Sequence, residues 1–161
     1  MTKLLPIAVI AVIGAFAGVI GYLNIENHTE DQFVLAQDVD PANVTALMEK
    51  VNALGNLGKY EEAITYADKV LVMDQNHTGA LNAKGYALGN LGKGEEAITY
   101  FDKVLAINSS EPDTILFKGT VLASLGKYEE AITYFDKVLA IYPNDTNAFS
   151  QKRMAQDELG K

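Results

Sequence analysis

The chain has 161 residues, a net charge of −8, no cysteine and two histidines. A surface that acidic repels phosphate, which argues against a nucleic-acid partner, and the missing thiols exclude a disulfide framework or a thiolate metal site. His28 and His77 stand 49 residues apart in polar stretches, so no metal centre or cofactor site is expected.

The first segment, MTKLLPIAVIAVIGAFAGVIGYL, holds an uncharged run from Leu4 to Leu23. Its twenty residues, at about 1.5 Å each, give roughly 30 Å, the thickness of a bilayer's hydrocarbon core. The apolar sequence continues past the small-residue site Ala15-Phe16-Ala17 through Val19, Ile20, Tyr22 and Leu23, where a cleaved leader turns polar. Residues 1–23 therefore read as a single transmembrane anchor, with secretion after cleavage near Ala17 as the alternative. Lys3 precedes the run and only acid follows it, which places the N-terminus in the cytoplasm and the bulk of the chain outside. Gly14 and Gly18 form a GxxxG pair through which two membrane helices can approach as a homodimer. Residues 24–43 form an acidic linker, with Glu26, Glu30, Asp31, Asp38 and Asp40 and no base; FVLA at 33–36 is its apolar patch and is expected to pack as a lid on the first repeat, with a flexible spacer as the alternative.

From residue 44 the chain repeats itself. LGKYEEAITYADKVL at 57–71 returns as LGKGEEAITYFDKVL at 91–105 and LGKYEEAITYFDKVL at 125–139. Gly58, Gly92, Gly126 and Gly160 are each 34 residues apart, a period that accommodates two helices and two tight turns. Ala63, Ile64, Ala67, Val70 and Leu71 form a helical apolar stripe, with Glu61, Thr65, Asp68 and Lys69 opposite. Glu61 and Glu62 open that helix and Lys69 comes late, both suited to its dipole. The other half of each unit carries Leu47, Val51 and Leu54, then Leu81, Gly85 and Leu88, then Ile115, Gly119 and Leu122. Glycine inside a helix costs about 1 kcal/mol relative to alanine, so Gly85 and Gly119 predict the close approach of a neighbour. Helix starts are expected after Asp40-Pro41, at Thr78, at Pro112-Asp113 and at Thr146.

With its 34-residue period, its Leu-Gly-Lys turn, Ala63/Ala97/Ala131, Ala67/Phe101/Phe135 and Pro143 closing the third unit, the chain resembles the tetratricopeptide repeat (TPR) family over residues 44–161. The resemblance implies an all-α fold, a right-handed α-solenoid of three helix pairs (44–77, 78–111 and 112–145) closed by a capping helix at 146–159 and preceded by the transmembrane helix. In that cap Ala148, Phe149, Ala155 and Leu159 are expected inward, and Gln151, Lys152, Asp157 and Glu158 outward. Gly94 replaces the aromatic Tyr60 and Tyr128 of the sister copies, which predicts a looser middle unit.

No nucleophile, base and orienting group pair by spacing, and the LGK segments are turns rather than phosphate loops, so the chain reads as non-catalytic. The resemblance implies instead a groove lined by the first helix of each pair that holds a protein or peptide ligand. Carried onto this sequence, the lining is Met48, Asn52, Gly55 and Asn56, then Asn82, Tyr86, Gly89 and Asn90, then Leu116, Thr120, Ala123 and Ser124. Asn suits an extended backbone because it both donates and accepts, and Tyr86 offers a rigid anchor. Relatives that clamp a C-terminal carboxylate use Lys, Arg and Asn; of the matching positions only Asn52 fits, since Met48, Ala83, Asp113 and Phe117 carry no cation. A neutral or mildly basic ligand follows. The alternative is a structural, self-associating envelope spacer with no groove ligand. Finally, Asn-x-Ser/Thr occurs at Asn27, Asn43, Asn76, Asn108 and Asn144; these are N-glycosylation acceptors on an external domain, or caps between helices.

Overall fold

The computed structural model describes residues 41–161, among which the chain forms seven helices. They are α1 (Pro41–Asn56), α2 (Tyr60–Met73), α3 (Thr78–Asn90), α4 (Gly94–Ile107), α5 (Pro112–Ser124), α6 (Tyr128–Ile141) and α7 (Thr146–Leu159). The expected anchor, Gly14 and Gly18, Asn27 and the linker up to Asp40 lie outside the described residues. No helix among the described residues is long and apolar enough to cross a membrane. Helix α1 starts at Pro41, so the last three residues of the 24–43 segment are its first turn.

The turn within each pair explains the repeated Leu-Gly-Lys. Gly58, Gly92 and Gly126 sit at φ of 71°, 76° and 76°, the left-handed region that glycine enters at no steric cost. Each closes the preceding helix with two bonds, as in Gly58 N to Gly55 O at 3.0 Å and Lys59 N to Leu54 O at 2.9 Å, which satisfies carbonyls the helix end would leave open. The lysine then begins the next helix, whose first turn receives Glu61-Glu62, Glu95-Glu96 or Glu129-Glu130. Gly160 keeps the spacing but not the conformation, at φ −83°. Between pairs the caps are His77, whose side chain accepts from Ala80 N, and Asp145, which accepts from Ala148 N.

Apolar stripes then set the packing. Ala63, Ala67 and Val70 are buried, as are their counterparts Ala97, Phe101 and Val104 and then Ala131, Phe135 and Val138. Both mid-helix glycines are explained: a Cβ at Gly85 would lie 2.6 Å from Phe101 Cε1, and one at Gly119 2.7 Å from Phe135 Cε1. In the first pair the same positions are Val51 and Ala67, so the bulk has changed sides of one contact. The middle unit is not looser at Gly94, which is buried with Leu125 closing the space where a Cβ would stand, 3.0 Å away.

Every helix packs on the next, and in addition α1 touches α3, α3 touches α5 and α5 touches α7, while the second helices of the pairs make no comparable contact. First helices closer together than second helices give a curved stack with α1, α3 and α5 on its inner side.

A polar seam joins successive pairs. Lys84 reaches back to Asp68 at 2.5 Å, Lys118 to Asp102, and Lys152 to Asp136 at 2.6 Å. Lys84 and Lys118 each also lie 4.7 Å above a tyrosine ring, Tyr100 and Tyr134. Burial alone would lower the pKa of both ammonium groups; the hydrogen bonds and charges of Asp68 and Tyr100, and of Asp102 and Tyr134, outweigh it and hold them above the usual lysine value. Lys69 is not in the last turn of α2 but sits over Tyr66, and Asp68, expected to face away from the stack, points at the next pair.

Three expectations for the cap fail. Phe149 is 61% exposed and Leu159 42% exposed, whereas Ala148 and Ala155 are buried as expected. Phe149 holds the position of Leu81 and Ile115, which face the second helix of their own pair; nothing packs there beyond α7. Gln151, expected outward, lines the inner face beside Leu116.

Candidate functional site: a charge-free inner groove

Two adjoining clefts occupy the inner side. The first, about 710 Å³, is lined by Met48, Asn52, Gly55 and Asn56 of α1, by Asn82 and Tyr86 of α3, and by Phe117 of α5. The second, about 290 Å³, is lined by Tyr86 and Asn90, by Leu116, Phe117 and Thr120, and by Asn147 and Gln151 of α7. Eleven of the twelve groove residues named from sequence lie on these walls: Met48, Asn52, Gly55, Asn56 and Asn82 on the first, Gly89, Asn90, Leu116, Thr120 and Ser124 on the second, and Tyr86 on both; Ala123 packs instead against the core around Leu122 and Ala131.

They come together because a helix turns 100° per residue, so positions four apart share a face. Met48, Asn52 and Asn56 form such a row on α1, Asn82, Tyr86 and Asn90 on α3, and Leu116, Thr120 and Ser124 on α5. Their polar groups differ in availability. Asn90 Nδ2 is spent on Tyr86 O at 2.9 Å, Thr120 Oγ1 on Leu116 O at 3.0 Å and Ser124 Oγ on Val121 O at 2.7 Å. Asn52 and Asn56 are exposed. Asn82 Oδ1 is buried and accepts no hydrogen bond from the protein.

Phe117 was considered only as a clamp position that lacks a cation, yet it is central to the site. Its ring lies 5.0 Å from Tyr86 and 6.3 Å from Phe101, and Tyr60 stands 6.2 Å on the other side of Tyr86. The aromatic row thus divides the clefts. Its sequence signal was weak: Phe117 follows Ile115 and Leu116 in one apolar run, and only the helical phase of α5 shows that it points inward.

Neither cleft is lined by a Lys, Arg, Asp or Glu. Of the charged groups with shifted pKa values, Lys84 and Lys118 lie on the seam between pairs, Lys127 pairs with Glu95, and Lys161 pairs with Glu158 at the end of α7; none lines either cleft. No group of acidic, His or Cys side chains suited to a metal occurs among the described residues.

The sequons divide as well. Asn76 and Asn144 are exposed in the loops before α3 and α7. Asn108 is held at both ends of its amide, donating to Glu111 Oε2 at 3.1 Å and accepting from Ser110 N at 3.2 Å. Asn43 is half-buried in the first turn of α1.

Over residues 56–138 the chain matches the family model described as anaphase-promoting complex, cyclosome, subunit 3. Among solved structures it is similar to the first TPR of Spaghetti (RPAP3) bound to the HSP90 peptide SRMEEVD, with TM-score 0.71 and 27% identity over 78% of this chain and 99% of that one. The first TPR domain of human RPAP3 gives TM-score 0.71 and 27% identity over 75% of this chain and 95% of that one. A crystal structure of MamA gives 0.69 and 26% over 80% of this chain and 74% of that one. No curated protein matches the sequence.

Proposed function

The chain belongs to the tetratricopeptide-repeat family, through the family model described as anaphase-promoting complex, cyclosome, subunit 3, and on that premise we propose that it is a non-catalytic module that takes an uncharged, extended peptide segment on its inner face. The observation that carries this reading is the charge-free lining of both clefts. A peptide such as SRMEEVD, bound by the RPAP3 domain, brings four carboxylate groups including its C-terminus, and burying them opposite no cation is unfavourable. An uncharged segment meets amide groups at Asn52 and Asn56 for its backbone and an aromatic wall at Tyr86 and Phe117 for an apolar side chain. Residues 4–23 tether this module to a membrane with residues 41–161 on the outer side, a placement supported by the uncharged twenty-residue run and Lys3 before it.

The groove is tested by titrating the full chain, in mild detergent, with uncharged peptides carrying one aromatic residue and with SRMEEVD. Uncharged peptides are expected to bind with an affinity that salt leaves unchanged, and Tyr86→Ala to weaken them at least ~10-fold while helicity stays intact. Tighter, salt-sensitive binding of SRMEEVD contradicts the proposal. External protease on intact cells tests the placement: residues 41–161 are expected to be digested, and their protection reverses the orientation.

A further inference from the structure

The acidic segment before α1 contains one window that fits this groove. In residues 24–40 the longest stretch without charge is Gln32-Phe33-Val34-Leu35-Ala36-Gln37, bounded by Asp31 and Asp38. Resting on the reading of the groove as a peptide site, we propose that this chain's own residues 32–37 occupy it in cis, so that an external ligand binds by displacing them.

Three observations converge on that occupant. The first is length. Six extended residues span about 20 Å, and the passage from α1 across α3 to α5 is two helix-to-helix steps of about 8–10 Å each. The second is reach. Ala36 lies five residues before Pro41, where α1 begins, or about 17 Å of extended chain. Met48 lies seven residues into the helix, a rise of about 10 Å. Ala36 therefore comes to the α1 end of the groove with slack, and Phe33, about 10 Å further on, comes to the row formed by Tyr86 and Phe117. The third is chemistry. The walls carry no charge and neither does the window, while the flanking aspartates remain beyond its two ends.

The native chain lacks cysteine, so engineered pairs report this contact without background. In the full chain, Gln32→Cys with Thr120→Cys on the second cleft is expected to form an intramolecular disulfide at least ~10-fold faster than Gln32→Cys with Thr99→Cys on α4, outside both clefts. Phe33→Asp is expected to reduce the first rate to the second, and to strengthen binding of an added uncharged peptide ~10-fold. Equal rates for the two pairs, or crosslinks only between chains, overturn the proposal; the latter assigns the groove to a second copy. If an uncharged peptide binds the native chain and Phe33→Asp alike, the cis occupant fails while the groove reading stands. Binding to neither defeats both.

Discussion

The exchange of bulk between Val51/Ala67 and Gly85/Phe101 makes a quantitative prediction. Replacing Gly85 with Val puts a Cβ 2.6 Å from Phe101 Cε1, in a ring that is fully buried and has nowhere to turn. Overpacking of this kind costs about 1–3 kcal/mol. Replacing Phe101 with Ala opens a cavity beside Gly85 and costs about 3–5 kcal/mol. Were the two sites independent, the double variant would lie at least about 4 kcal/mol below the parent, a large part of a repeat domain's stability. The double variant, however, rebuilds the arrangement that the first pair already uses at Val51 and Ala67, so its cost is expected to fall below that of Phe101→Ala alone. The coupling thus exceeds the cost of Gly85→Val alone, about 1–3 kcal/mol, in the rescuing direction. Urea denaturation of the four proteins, followed by far-UV circular dichroism, reads it. Additive effects would refute the reasoning and show that backbone spacing, not side-chain volume, differs between the pairs.

Gly126→Ala tests the turn by itself: its Cβ would meet nothing within 4 Å, so the expected loss of about 1–2 kcal/mol is conformational, and no loss in a thermal melt would remove the left-handed φ from the account. Thr114 is fully buried and its hydroxyl has no partner in the protein; Thr114→Val keeps the shape and removes that group, which is expected to raise stability by about 1 kcal/mol or more, whereas a lower melting temperature would mean the hydroxyl is satisfied. Lys84 and Lys118 are held above the ordinary lysine value by their aspartate and tyrosine partners. Their contribution is therefore complete at neutral pH, where folded and unfolded states are both protonated, and is lost as pH rises past the unfolded value and through the higher folded one. The melting temperature is expected to stay level to about pH 10 and then drop, less steeply in Lys84→Met/Lys118→Met; an equal drop in that variant would show that the seam lysines do not couple to folding.

What the sequence revealed follows from what repetition can reveal. The 34-residue period placed the turns and the helix starts at Thr78, Pro112 and Thr146, because three copies reinforce each signal. The period also misled, at the one place where the repeat stops. Phe149 was assigned inward because Ile115 and Leu81 are, but their burial belongs to a second helix that α7 does not have. Periodicity reports what a position faces inside an array and not at its end. Asp68 escaped for another reason: amphipathicity rules treat one helix at a time, while this side chain is engaged by Lys84 of the next pair. Lys50, Lys84, Lys118 and Lys152, also 34 apart, were the overlooked signal of that seam.

The same comparison of copies locates the function within the array. The second helices α2, α4 and α6 differ from one another at few positions, and their repeated Tyr, Asp and Lys residues belong to the seam. Thr65, Thr99 and Thr133, which no packing demand explains, bond back to the carbonyls of Glu61, Glu95 and Glu129 at 3.0, 3.2 and 3.1 Å. The first helices diverge, and they do so on the inner rows. Met48, Asn82 and Leu116 occupy one equivalent position, Asn52, Tyr86 and Thr120 the next, and Asn56, Asn90 and Ser124 the third. Copies whose sole task was to stack would have no reason to differ there, since apart from Leu116, which packs against two core clusters, these side chains lie outside the core. Divergence on the inner rows accompanies divergence at packing positions such as Val51/Gly85/Gly119 and Ala53/Ala87/Val121, and it suits a surface on which each unit presents its own group to one extended, non-repeating ligand. A spacer with an empty groove would leave those rows as alike as the seam.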